Sequence, residues 1–299
     1  MAFTKPSVAL GAHRLHYGTM RHTDTMEFLS PGVLISYRRR AAGAPAYPPA
    51  NVKTALQAAA VQARNIVRIA NDELAGVIFL RRQETALMTA TLERHFNLSS
   101  TGGLGALLTD NVINKPFSLG ALTQHDRRWY INKIREGILS LSFHLNTGMY
   151  IIDIDLAQRT IMGGVNTRPG PPDPLTGAPT TVPIAAGTAV GGGVRGYVHQ
   201  LPSNLPCSFV NGEIHIKFEI YPGYTLNSGA RIIIHEAAHK YLDIPDVYYA
   251  HSPNYPPTLQ ECLGNADSYA WTAVSLATGT LRMQTAASND GQACPGPAL

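Results

Sequence analysis

An apolar run, Ile232-Ile233-Ile234, leads without a break into His-Glu-Ala-Ala-His at 235–239. The run predicts a buried helix that continues through the polar residues. Positions four apart share one face of a helix, so His235 and His239 can turn two imidazoles toward one metal ion. Glu236 then stands beside that ion, where it can take a proton from a water. This is the residue set of metal-assisted hydrolysis. Three fixed positions of this kind arise by chance in roughly one chain of this length in a hundred, so the context has to carry part of the argument. The bland alternative is a core helix with two partly buried histidines.

Composition bounds the rest. The chain has 299 residues, 44% of them hydrophobic and 15% charged. That suits one large globular domain, or a domain with an extension. Twenty-seven Gly and 21 Pro predict many turns and at least one long loop. The net charge is +4, with short, scattered basic clusters at Arg38-Arg39-Arg40, Arg81-Arg82 and Arg127-Arg128. These read as a solvated basic face, so no nucleic-acid partner is expected. Cys207, Cys262 and Cys294 form no disulfide framework and lack the CxxC spacing of a cysteine zinc site. The first residues have no apolar signal-peptide core, and no run has the length of a membrane span. Localisation and oligomeric state are left open by the sequence.

Residues 1–50 mix His, Arg and Gly and end in a Pro-rich stretch. They read as an N-terminal extension packed on a main domain at 51–299. Apolar spacing predicts helices over 51–76, 82–97 and 126–145. Residues 150–156 read as a strand, with Asp153 and Asp155 on its solvent side. His144 and those two acids are weaker candidates for metal ligands. Residues 163–194, rich in Gly, Pro and Thr, form a loop insertion, either a flap beside the site or a surface excursion. A strand starts near 194–198, and alternation marks another over 212–218, expected at a sheet edge with His215 either exposed or supporting the metal ligands from behind. The motif helix runs over 226–243 and stops before Pro245, and a last helix covers 258–277.

Two histidines do not complete a catalytic zinc site, which takes three protein ligands and an open position. A histidine six residues past His239 is ruled out, because Pro245 stands there. A glutamate on a following helix would be Glu261. Asp267 is a further acid on that helix. Asp246, seven residues past His239 and after a proline turn, can fold back toward the metal. Tyr249, three residues on, brings a phenol that can donate to an oxyanion.

The pattern HEAAH, then Asp246-x-x-Tyr249, then Asn265-Ala266-Asp267-Ser268-Tyr269, resembles the aspzincins, the deuterolysin and peptidyl-Lys metalloendopeptidase family. The strand over 212–218 and the position of Cys262 look like the family too. The similarity is strongest over 210–275. Asp243-Ile244 stand where the family has Gly-Thr, and Ala250 where it has Gly. The resemblance implies an α+β, zincin-like fold. Its parts would be a helical N-terminal lobe, a small, mostly antiparallel sheet and an HExxH active-site helix. It implies Zn2+ held by His235, His239 and Asp246, with Glu236 as general base, Tyr249 as oxyanion donor and Asp267 orienting a ligand histidine. The expected activity is a zinc-dependent endopeptidase acting on a peptide or protein. By analogy with secreted peptidases of this type, an effector or toxin exported by a specialised machine is the expected setting. The competing readings are a gluzincin-like peptidase with Glu261 as third ligand, and a non-catalytic binding or effector protein with a vestigial HExxH helix.

Overall fold

The computed structural model describes residues 24–38, 40–100, 127–153, 167–169, 181–183, 196–197, 213–242, 244, 248–249 and 255–283. Its elements mix helices with a small sheet. Strand β1 (Asp24–Ser30) turns back into β2 (Val33–Arg38). Helix α1 (Ala50–Phe79), α2 (Ala86–Phe96) and α3 (Arg127–Thr147) follow, then β3 (Met149–Asp153). The short strands β4 (Thr167–Pro169), β5 (Thr181–Pro183) and β6 (Gly196–Tyr197) precede β7 (Glu213–Ile216). A 3-10 turn at Phe218–Gly223 leads to α4 (Leu226–Leu242), and α5 (Leu259–Leu263) and α6 (Ala266–Thr278) close the order.

Among the described residues the main sheet has five strands in the order β1-β2-β3-β7-β6. It is mixed, where the sequence suggested a mostly antiparallel sheet. β1 with β2 and β6 with β7 run antiparallel, while β2-β3 and β3-β7 run parallel. A parallel pair needs a long crossover, and α1, α2 and α3 supply it between β2 and β3. β4 and β5 pair antiparallel in a separate two-stranded sheet within the Gly/Pro-rich segment.

Part of the segment read as an N-terminal extension belongs to this sheet. Pro31-Gly32 makes the turn between β1 and β2. Gly32 has a φ of 74°, the left-handed conformation that glycine adopts without steric cost. The Arg64 guanidinium from α1 holds that turn by donating to the Gly32 and Leu145 carbonyls, both at 2.8 Å. Val33 and Ile35 are wholly buried in the main core.

The core lies between the sheet and a helical layer centred on α1, which packs on α3, α4 and α6. Leu56, Ala59, Ala63, Ile66, Val67, Ala70 and Leu74 form its buried face, at the three- and four-residue steps of a helix. Helix α4 is buried from Ser228 to Ala238, the mark of a helix inside a domain rather than on its surface. Each buried isoleucine of its Ile232-Ile233-Ile234 run contributes about 1.5–3 kcal/mol. Gly229 lets α4 come close to α1. A Cβ there would lie 3.1 Å from the Ala59 Cβ and 3.2 Å from the Tyr221 ring. The expected last helix is two helices, because Gly264 closes α5 and Asn265 opens α6.

Three local expectations are corrected. Asp153 is buried rather than solvent-facing, and its carboxylate accepts from the Tyr47 hydroxyl and the Phe218 amide. His215 is buried too, because β7 lies inside the sheet between β3 and β6 rather than at its edge. Residue 155 and most of 163–194 lie outside the described residues.

Candidate metal centre

The HEAAH residues sit in the second half of α4, and helical spacing brings the two histidines together. The Nε2 atoms of His235 and His239 are 3.1 Å apart, and the rings meet nearly perpendicular at 88°. Each ring is held from behind through its other nitrogen. His239 Nδ1 donates to the Ile244 carbonyl at 2.7 Å. His235 Nδ1 lies 2.9 Å from Asp267 Oδ1. A carbonyl can only accept, so the His239 Nδ1 carries the proton and its Nε2 presents a lone pair.

At this distance the two Nε2 atoms can share either a proton or a metal cation. A tetrahedral zinc with Zn–N of about 2.0–2.1 Å separates two nitrogen ligands by about 3.3 Å. The observed spacing fits a metal ion, and His235 and His239 are the residues that could hold it. A carboxylate or carbonyl behind each ligating imidazole is the usual outer support of such a site. Among the described residues no group of three or more His, Cys, Asp or Glu converges as a metal site. Asp246, the expected third donor, lies outside the described residues.

Asp267 is wholly buried in the first turn of α6. The Oδ1 that faces His235 also accepts from Arg231 Nη1 at 3.3 Å. Arg231 is one helical turn ahead of His235 on α4 and is itself buried. Its guanidinium stacks on the Trp271 ring, 4.8 Å from the centroid. Trp271 in turn lies one turn beyond Asp267 on α6, so the two helices are locked by a four-residue unit, Arg231, His235, Asp267 and Trp271. The sequence reading missed Arg231 and Trp271. The signal was present: an arginine inside a run of apolar residues must find a buried partner.

Glu236 is buried next to His235. Its charge reaches Tyr221 in the 3-10 turn. Burial first, and Glu236 among the nearby charges, push the Tyr221 hydroxyl well above the ordinary phenol range. Tyr249 lies beside His235. Its ring runs parallel to His235 at 19° with 6.4 Å between centroids, and it stays 44% exposed. Its neighbour Tyr248 is half-buried against Tyr255 and Trp271, so the two adjacent tyrosines face opposite ways.

Glu261 has a different task. Its carboxylate accepts from the Thr258 amide at 2.9 Å and the Thr258 hydroxyl at 2.7 Å, and Thr258 caps α5 in return. This reciprocal capping box commits the side chain to its own helix. His144 stacks on Tyr241 of α4 with centroids 4.3 Å apart, and burial lowers its pKa. Cys262 is buried as a free thiol, and burial raises its pKa far above the ordinary value.

The chain matches no protein-family model, and no curated protein matches it. Among the described residues no helix is long and apolar enough to cross a membrane.

Proposed function

We propose that the chain is a zinc-dependent endopeptidase of the zincin type, with the ligand order His235, His239 and Asp246 that its resemblance to the aspzincins implies. The observation that carries the reading is the pair of Nε2 atoms 3.1 Å apart, with the His239 Nδ1 donating to the Ile244 carbonyl and the His235 Nδ1 2.9 Å from the Asp267 carboxylate. A core helix with incidental histidines has no need to turn two imidazole nitrogens toward one point. The capping role of Glu261 favours Asp246 over Glu261 as third donor.

A zinc ion held there would supply Lewis acidity, lowering the pKa of a water and polarising a peptide carbonyl. The chain's own residues then divide the proton and charge handling. Glu236 removes the proton from the attacking water and returns it to the leaving amine. The Tyr249 hydroxyl donates to the oxyanion that develops on the carbonyl. Asp267 and the Ile244 carbonyl keep both imidazoles in the tautomer and orientation that leave Nε2 free. β6 is the outermost strand on the β7 side of the sheet, so an extended substrate has an edge there to pair with.

Glu236→Gln tests the reading. The variant should bind zinc as the wild type does and lose hydrolysis of an unfolded protein by at least about a hundredfold, the usual contribution of a general base. Full activity in Glu236→Gln would remove Glu236 from the mechanism and the peptidase reading with it.

A further inference from the structure

We infer that Asn265 is a positioning residue that holds the chain segment carrying Tyr249 in place, an inference that rests on the peptidase reading of the site. Asn265 is wholly buried between α5 and α6. Its Oδ1 accepts from the Tyr248 backbone amide at 3.3 Å, and its Nδ2 donates to the Ser268 hydroxyl at 3.1 Å. The amide orientation follows from the chemistry, because only the oxygen can accept from an N–H.

The position makes this contact informative. Asn265 is the N-cap of α6 but makes no side-chain cap hydrogen bond. An asparagine there ordinarily takes an amide of the first helical turn and contributes about 0.5–2 kcal/mol. Here the oxygen is turned instead to an amide 17 residues upstream. Tyr248 is thereby fixed from two sides, by its amide on Asn265 and by its ring against Tyr255 and Trp271. The next residue, Tyr249, is the one whose ring lies parallel to His235. Two residues past Asn265, Asp267 lies 2.9 Å from Nδ1 of that same histidine. The start of α6 thus sets both the histidine and the phenol, one through Asp267 and the other through Asn265.

Two variants of the full chain separate this role from packing. Asn265→Leu keeps the branched skeleton and removes the acceptor. Asn265→Asp keeps the acceptor and remains a favoured N-cap residue. Amide hydrogen exchange at Tyr248 requires no activity. It should be at least about tenfold faster in Asn265→Leu, reflecting one lost buried hydrogen bond, and near wild type in Asn265→Asp. Exchange within α1 should stay unchanged in both. In the zinc-loaded chain acting on unfolded casein, Asn265→Leu should lower kcat with little change in KM. Added to Tyr249→Phe, it should cost little more than the larger single loss, because both act through one hydroxyl. Unchanged Tyr248 exchange in Asn265→Leu would overturn the inference, as would losses that add to those of Tyr249→Phe. Faster exchange throughout α1 in both variants would also overturn it, since Asn265 would then serve the core. Casein left uncut by the wild type would defeat the peptidase reading instead, while the exchange at Tyr248 would still decide whether Asn265 holds the segment.

Discussion

Replacing Asp267 by Asn should weaken the protein twice, once in folding and once in metal binding. The Asp267 Oδ1 lies 2.9 Å from His235 Nδ1 and 3.3 Å from Arg231 Nη1. Asn keeps the shape and an accepting oxygen but loses the charge. A hydrogen bond to a charged group is worth about 1.5–3 kcal/mol and a neutral one about 0.5–1.5 kcal/mol. Two such exchanges, the longer at the low end, amount to about 2 kcal/mol. Both side chains of the Arg231–Asp267 pair are nearly inaccessible, so water does not screen the loss. For a domain of this size, about 2 kcal/mol lowers Tm by about 4–8 °C. Zinc affinity should fall by about 10–100-fold, because an imidazole freed from its carboxylate no longer holds Nε2 toward the ion. Urea denaturation of the metal-free chain reads the first effect, and competition with a chromophoric chelator reads the second. Reduced stability with unchanged zinc affinity would make Asp267 a partner of Arg231 alone. No change in either would refute the geometry.

The other predictions concern the surroundings of the site. Gly137→Ala on α3 would place a Cβ 2.4 Å from Tyr269 Cε1, and Tyr269 is pinned by Phe96 and by its hydrogen bond to the Leu263 carbonyl. Overpacking costs about 1–3 kcal/mol and exceeds the roughly 1 kcal/mol that alanine gains over glycine in a helix. A lower urea midpoint is expected, and an equal or higher one would contradict the packing. His95 is wholly buried between the Tyr255 hydroxyl and the Arg282 carbonyl, both at 2.9 Å, and burial lowers its pKa from 6.5 to about 3. The unfolded chain therefore takes up a proton below pH 6.5 that the folded chain refuses. The contribution of His95 to stability is complete above that pH and is lost as pH falls toward 3, by up to about 1.4 kcal/mol per pH unit. His144 shifts in the same direction. Denaturation at pH 7 and pH 5 should show a smaller pH-induced loss in His95→Gln than in the wild type, and equal losses would contradict the assignment.

What was legible in the sequence was local. The periodicity of α1 and α3 and the apolar run of α4 placed three long helices within a few residues, because each buries one continuous stripe or run. His235, His239 and Tyr249 were singled out from spacing and resemblance, and the structure places their rings next to one another. Strand order was not legible, because parallel pairing joins segments far apart in the chain and leaves no local mark. β2 beside β3 and β7 inside the sheet are of that kind. The burial of Asp153 was hidden for the same reason, since its partners Tyr47 and Phe218 are 106 and 65 residues away. Arg231 was legible in principle, but its partner Asp267 lies 36 residues on. Asn265 gave no signal, because nothing in a sequence tells a capping asparagine from one that reaches upstream.

Zinc per chain, measured by elemental analysis on the wild type and Asp246→Ala side by side, tests the central claim most directly. The account predicts one zinc in the wild type and little in the variant, with the fold of both intact by circular dichroism. Full zinc in Asp246→Ala would move the third ligand to another residue. No zinc in the wild type, even after zinc is supplied, would contradict the account, leaving His235 and His239 as two buried histidines on a core helix.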